Sequence, residues 1–278
     1  MRFPVVLGST VLAFALPAHA EVPTGKPPQL APHRAVYDLS LATSKGARTV
    51  ESARGRIAFD FTGDACEGYA LKFRQVTVIE SAETGTKTSD LRTANFESGD
   101  GKTFRFRNDT GSGEGPAQSV DGNAERKANG PLAVRLKAPK RDNVSLDGEA
   151  VFPNTQMRDL IVAARAGKTT LNMKIFDGSD DGRTVYETLS VIGKRIEPGN
   201  AAALEEPARQ EGLAKLARWP VTMSYFKPGK KDDTPVYVLS FDLYENGVSR
   251  ALRLDYGDFA LKGEMTRLEL LPEKPCQK

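Results

Sequence analysis

Apolar side chains in this sequence return at every second position over long stretches, and that period constrains the fold more than any other feature. Ala35, Tyr37, Leu39 and Leu41 form one such series, followed by Ile57, Phe59 and Phe61, by Phe104 and Phe106, and by Val221, Met223 and Tyr225. Successive side chains of a strand point to opposite faces, so each series lays an apolar stripe on one face of a sheet. Between the series stand clusters of Gly, Asn, Asp and Pro, such as Glu97-Ser98-Gly99-Asp100-Gly101, residues 111–116, and Glu245-Asn246-Gly247. These residues suit hairpin turns. The pattern predicts an all-β chain: a long antiparallel meander of about twelve to fifteen strands. A sheet of that size must curl, close or split to cover its apolar face. Asn246-Gly247, between strands expected at Tyr237–Tyr244 and Val248–Tyr256, predicts a tight turn with the glycine at positive φ.

One segment breaks the period. After Phe152-Pro153, Asn154 or Thr155 can cap a helix that carries Met157, Leu160, Ile161 and Ala164 and stops at Gly167. A helix over 154–166 is expected to turn Leu160, Ile161 and Ala164 toward the sheet, plugging or covering its concave side. If a cavity lies beneath, the same three residues are its candidate gate. A weaker helical stretch, Ala201–Arg218, is interrupted by Pro207 and has a mostly polar or small face, and is read as a surface insertion. Residues 21–32 hold four prolines and few large apolar residues, the composition of an extended arm. Folded structure is expected from His33 onward, as one domain over 33–278.

The first twenty residues read as a secretory signal: Arg2, an apolar core from Val5 to Leu16, and the small-residue site Ala18-His19-Ala20. Cleavage before Glu21 leaves no cysteine for a lipid anchor, and Arg2 lacks the second arginine of twin-arginine export. No later apolar run approaches the roughly 18 residues that span a bilayer, so the expected product is a soluble exported protein. Removal of residues 1–20 takes the formal charge from +3 to +2, with signs interspersed, which disfavours a nucleic-acid surface. The basic clusters Lys137–Arg141 and Lys227–Lys231 contain proline or glycine and read as solvated loops. Two cysteines, Cys66 and Cys276, are all the chain has. In an oxidising compartment they are expected to form one disulfide, with two free thiols as the alternative. The closed loop of about 210 residues would destabilise the unfolded chain by about 5 kcal/mol.

Chemistry is scarce. His19 leaves with the signal, so His33 is the single histidine of the processed chain, and it reads as a strand-entry residue bonded to backbone. No G-x-S-x-G elbow supplies a nucleophile, and one histidine with paired cysteines makes no zinc set. Ala166-Gly167-Lys168-Thr169 lacks the first glycine of a phosphate loop and follows a helix rather than a strand. Ser224-Tyr225-Phe226-Lys227 matches S-x-x-K, but in a strand the Ser and Lys point to opposite faces. Asp177-Gly178-Ser179-Asp180-Asp181-Gly182 starts like a calcium loop yet has Thr188 at the twelfth place, and reads as a polar turn. No catalytic, metal or cofactor site is expected.

Read in order, Asp64-Ala65-Cys66-Glu67-Gly68-Tyr69, Phe96-Glu97-Ser98-Gly99-Asp100-Gly101 and Phe104-Arg105-Phe106 resemble the EipB-like family of cell-envelope integrity proteins. So do His33-Arg34-Ala35-Val36-Tyr37, Phe152-Pro153, Phe176-Asp177-Gly178-Ser179, Asn246-Gly247-Val248 and Leu254-Asp255-Tyr256-Gly257-Asp258-Phe259, with Leu270, Leu271, Pro272 and Cys276 at the end. The set spans nearly all of residues 33–276. The resemblance implies a periplasmic sheet wound as a spiral or open barrel, one disulfide, a helix inside or across its mouth, and a role in envelope integrity without known catalysis. A histidine often follows the Phe-Pro pair in that family, where this chain has Gln156, so a function needing that histidine would be missing here.

Three functional readings follow. The first is a non-enzymatic periplasmic protein that binds or scaffolds envelope components, its partners other envelope proteins or wall material. The second is a carrier that holds a lipid or lipoprotein acyl chain in the cavity of the curved sheet. The third is an envelope hydrolase working with carboxylates alone.

Overall fold

The computed structural model describes residues 28–45, 50–112, 117–128, 130–199, 204–229 and 234–273. The first strand, β1 (His33–Ser44), shows how the sequence period becomes a sheet. His33, Ala35, Tyr37 and Leu39 are buried, while Arg34 is exposed and Val36, Asp38 and Ser40 are half-buried. Seven strands continue the pattern: β2 (Val50–Asp64), β3 (Gly68–Ser81), β4 (Gly85–Ser98), β5 (Thr103–Gly111), β6 (Gln118–Arg126), β7 (Leu132–Ala138) and β8 (Asp142–Leu146). The helix α1 (Pro153–Arg165) follows, then β9 (Thr170–Ile175) and β10 (Tyr186–Ile192). A 3-10 turn at Glu206–Arg209 and a short helix α2 (Glu211–Ala214) lead into β11 (Arg218–Phe226), β12 (Tyr237–Tyr244), β13 (Ser249–Asp255) and β14 (Phe259–Leu270).

All fourteen strands belong to one antiparallel sheet, in the order β8-β7-β6-β5-β4-β3-β2-β1-β14-β13-β12-β11-β10-β9. The first and last strands pair in the middle, from His33 opposite Leu270 to Ser44 opposite Phe259. The sheet curls but does not close. Its edges, β8 and β9, are joined by a single parallel bridge between Val151 and Ile175 and by side chains of the flanking segments. Arg183 pairs with Asp142 at 2.7 Å, and Asn108 donates from Nδ2 to the Gly178 carbonyl at 2.8 Å. Phe176, just past β9, meets Phe104 and Phe106 of β5 edge-on. The fold is therefore all-β, a long antiparallel sheet curled into an open barrel with one helix packed against it.

Three apolar clusters line the inside. One joins β1, β2 and β12–β14, a second joins α1 to β2, β3 and β10–β12, and a third lies on β5–β7 with Ala150, Phe152 and Phe176. His33 heads β1 with Nδ1 on the Ala31 carbonyl at 2.8 Å and its ring stacked on Phe59. Burial pushes its pKa down, as expected for an imidazole kept neutral.

Two expectations are corrected. The stretch read as a surface insertion packs into the first cluster: Leu204, Ala208 and Leu213 are buried there against the sheet. Pro207 breaks it into a 3-10 turn and one turn of helix, and both halves still bury their apolar side chains. The end of the proline-rich arm is also part of the fold. Leu30 joins the second cluster, its N–H donates to Tyr69 Oη, the Ala31 N–H donates to the Asn246 carbonyl, and Pro32 accepts from Leu271. Prolines leave a chain extended, and an extended chain can still be held by neighbouring strands.

The Asn246-Gly247 turn forms as expected. Gly247 has φ +87°, its N–H donates to the Tyr244 carbonyl, and Tyr244 in turn donates to Val248. This is a three-residue loop with the glycine in the left-handed region. A Cβ on Gly247 would lie 2.7 Å from Leu30 Cδ2, so a side chain there meets both backbone strain and the folded arm. We predict that Gly247→Val costs about 1–3 kcal/mol in denaturant unfolding; an unchanged midpoint would refute the turn assignment.

Candidate functional site

The helix α1 starts without a local cap. Pro153 is its first residue, Phe152 at the cap position makes no side-chain hydrogen bond, and the first turn holds no acidic residue. The sequence reading of Asn154 or Thr155 as cap is thus corrected. The opening N–H groups of a helix still need partners when buried. Glu97, the penultimate residue of β4, supplies them. Its Oε2 accepts from the Asn154 N–H at 2.6 Å, and its Oε1 accepts from the Thr155 N–H at 2.9 Å and from the Thr155 hydroxyl. Glu97 is 1% exposed.

A buried carboxylate at a helix N-terminus meets the positive end of the helix dipole. Burial nonetheless dominates, and pushes the Glu97 pKa up against the donors and Arg158 that favour the anion. Arg158, one turn into α1, stands 3.7 Å from Glu97 Oε1 and donates to the Thr155 hydroxyl at 3.2 Å. Its other branch donates to the Gly99 carbonyl at 3.0 Å. Both Glu97 oxygens accept hydrogen bonds from the first turn of α1 inside the protein, so this carboxylate organises structure.

The cysteine-bearing turn lies against this network. Asp64 Oδ1 accepts from the N–H groups of Cys66 and Glu67, both at 2.8 Å, shaping the β2–β3 connection. The next hairpin turn stacks on it: the Gly99 N–H donates to the Glu67 carbonyl, and a Cβ on Gly99 would fall 2.3 Å from the Cys66 carbonyl oxygen. Glycine is required by this close approach. Cys66 sits in this turn, and Cys276 lies outside the described residues. The chain Cys66 turn, Gly99, Arg158, Glu97 and α1 therefore runs as one contiguous set of contacts.

From this anchor α1 extends along the inner face. Leu160 and Ile161 are fully buried and Ala164 nearly so, in the cluster with Phe61, Tyr69, Trp219, Val221, Met223 and Leu243. Gln156 points the same way and donates from Nε2 to Thr188 Oγ1 at 3.2 Å, beside Met223 Sδ. Phe152 stacks on Phe104 at 5.0 Å, fixing the entry to the helix. The C-terminus ends at Gly167, φ +72°, whose N–H and that of Lys168 satisfy the Ala164 and Ala163 carbonyls. The structure thus gathers the predicted helix residues and the Cys66 turn around Glu97 and Arg158, two residues the sequence reading did not single out.

Removing the Glu97 carboxylate leaves two helix N–H groups without their acceptor and the buried Arg158 guanidinium without its counter-charge. We predict that Glu97→Ala destabilises the protein by about 3–5 kcal/mol and that Glu97→Gln, which keeps one acceptor, costs less. Hydrogen exchange at Asn154 and Thr155 should accelerate in both variants, and protection equal to wild type in Glu97→Ala would contradict the capping role.

With this geometry in view, comparison with known proteins is informative. The EipB-like family profile matches residues 24–272. The chain is 36% identical over 243 residues to the cell envelope integrity protein EipB of Brucella abortus (strain 2308), an alignment that spans 87% of this chain and 85% of that protein. Among solved structures it is similar to a beta-barrel-like protein of domain of unknown function DUF1849 from Brucella abortus, with a TM-score of 0.80 and 34% identity, over 88% of this chain and all of that one. The chain belongs to the EipB-like family.

Proposed function

We propose that this protein is a non-enzymatic periplasmic component of the cell envelope, released from its signal after Ala20, that supports envelope integrity by binding or scaffolding other envelope components. The observation that carries the reading is the occupied concave face. Leu160 and Ile161 of α1 sit at 0% exposure among the residues of β2, β3 and β10–β12, and Leu204 and Leu213 fill the adjoining region. A sheet filled by its own chain offers its outer surface and rims for contact. The name of the Brucella relative supports a role in the envelope. Among the described residues no helix is long and apolar enough to cross a membrane.

The lipid-carrier reading makes α1 a gate rather than a plug, and one variant separates the two. Leu160→Ala is expected to lower stability by about 2–5 kcal/mol while leaving uptake of an apolar dye at background. A gain of dye or lipid uptake with little change in melting would instead favour the carrier.

The same reading pairs Cys66 with Cys276, tying the turn beneath α1 to the end of the chain. Thiol titration of the native periplasmic protein should find no reactive thiol before reduction and two afterwards. Two reactive thiols in unreduced material would overturn the pairing.

A further inference from the structure

On the face of the sheet opposite α1, a recess of about 520 Å3 crosses β14, β1, β2, β3, β4 and β5. Its cations are Arg34, Lys72, Arg74, Arg92, Arg107 and Arg267. Three of the six are balanced close by. Arg34 lies 3.3 Å from Asp60 and 3.6 Å from Glu269, Arg107 lies 2.9 Å from Asp109, and Arg267 lies 3.9 Å from Glu269.

The balance fails at one place. The strand register sets Arg74 directly opposite Arg92, a like-charge pair that costs stability. Both guanidiniums share one carboxylate, Asp90, at 2.9 and 2.8 Å. Lys72, two residues before Arg74 on the same face, lies opposite Asp60, but Asp60 is engaged by Arg34 at 3.3 Å and Lys72 itself makes no ion pair among the described residues. Arg92 also lies opposite Asp109, which Arg107 holds, so the six cations of the recess face four carboxylates, Asp60, Asp90, Asp109 and Glu269. Beside them the floor is apolar: Ala58 lies opposite Arg74, Ala94 opposite Lys72, and Val36 opposite Ala58. Ala58 and Ala94 are exposed.

The volume falls in the range of about 300–1,000 Å3 typical of small-molecule sites. A bare inorganic anion would use the cations and leave the alanine floor wet. A neutral apolar molecule would do the reverse. We propose that this recess binds an acidic amphiphile, its phosphate or carboxylate head held by Lys72, Arg74 and Arg92 and its apolar body lying over Ala94, Ala58 and Val36. Arginine suits such a head because its planar fork donates two parallel hydrogen bonds to one acidic group. The site lies across the sheet from α1, so it is independent of the plug and of the Leu160 variant that tests it.

The test is calorimetric titration of the purified protein with dodecyl phosphate, dodecanoate, uncharged dodecyl maltoside and inorganic phosphate, each below micelle formation, with alanine-methyl NMR to locate binding. The acidic amphiphiles should bind and shift the Ala58 and Ala94 methyls, with the maltoside and inorganic phosphate at least about tenfold weaker. Tighter binding of dodecyl phosphate than dodecanoate assigns a phosphate ester as the natural head, and the reverse order a carboxylate. Arg92→Gln should weaken the acidic probes about tenfold, the loss of one charge-assisted contact, without lowering the melting temperature. Lys72→Gln, at an unpaired position, provides a second variant if Arg92→Gln disturbs folding. The proposal is overturned by equal affinity for the maltoside, by shifts confined to other methyls, by affinity unchanged in both variants, or by no binding of either acidic probe. Tighter binding of an octapeptide of glutamates than of dodecyl phosphate would also overturn it and mark the recess as a protein-docking surface.

Discussion

The contact on which this structure depends is the one between the Glu97 carboxylate and the first turn of α1. An open, curled sheet exposes a concave apolar face that water would otherwise wet, and the chain covers much of it with a single thirteen-residue helix. That helix has neither an N-cap side chain nor an acidic first turn of its own. Its buried amide groups are satisfied only because a strand across the barrel ends in a carboxylate at the right height. Desolvating that carboxylate is costly, and the two backbone N–H groups, the Thr155 hydroxyl and Arg158 offset the cost. An apolar residue at position 97 would spare the desolvation and leave the helix end unsatisfied, so the carboxylate specifies where α1 sits.

The same network links three turns distant in sequence. The β2–β3 turn with Cys66, the β4–β5 turn with Gly99, and the Phe152-Pro153 entry to α1 meet at one end of the barrel. The opposite flank is organised differently. There Leu204, Ala208 and Leu213 fill the space beside β1, β2 and β14, and Arg250 bridges Glu205 and Asp242 in a half-buried ion cluster. The barrel is thus packed from two sides by two segments that interrupt the meander.

Most of the strands were legible because their period is local. The β12–β13 hairpin declares itself through alternation on both sides of Asn246-Gly247, and Gly167 marks the helix end because only a left-handed residue closes it well. What escaped was set by distant partners. Leu204 and Leu213 are separated by a proline and by polar residues, so no helical stripe announces their burial; the sheet, not the segment, decides it. Leu30 looks like part of a linker until Gly247 and Tyr69 are brought against it. Glu97 reads as the start of a polar turn. Its signal was present in parity: on β4 it shares a face with Leu91, Thr93 and Asn95, which aims a carboxylate inward, and a helix without an acidic first turn was waiting for one.

The strand order has a consequence for how the chain could be rewritten. Read from one edge to the other, the sheet runs β9 to β14 and then β1 to β8, the sequence order cut once and rejoined. Pro32 and Leu271 are already hydrogen-bonded neighbours. A circular permutant that joins the two ends through a short linker and opens the chain ahead of β9 would pair every strand with its immediate successor. Its strand contacts would become almost wholly local, which favours fast folding, and α1 would become a terminal element docking last onto a finished barrel. In the natural order the central seam between β1 and β14 waits until the other twelve strands and β14 itself have been made.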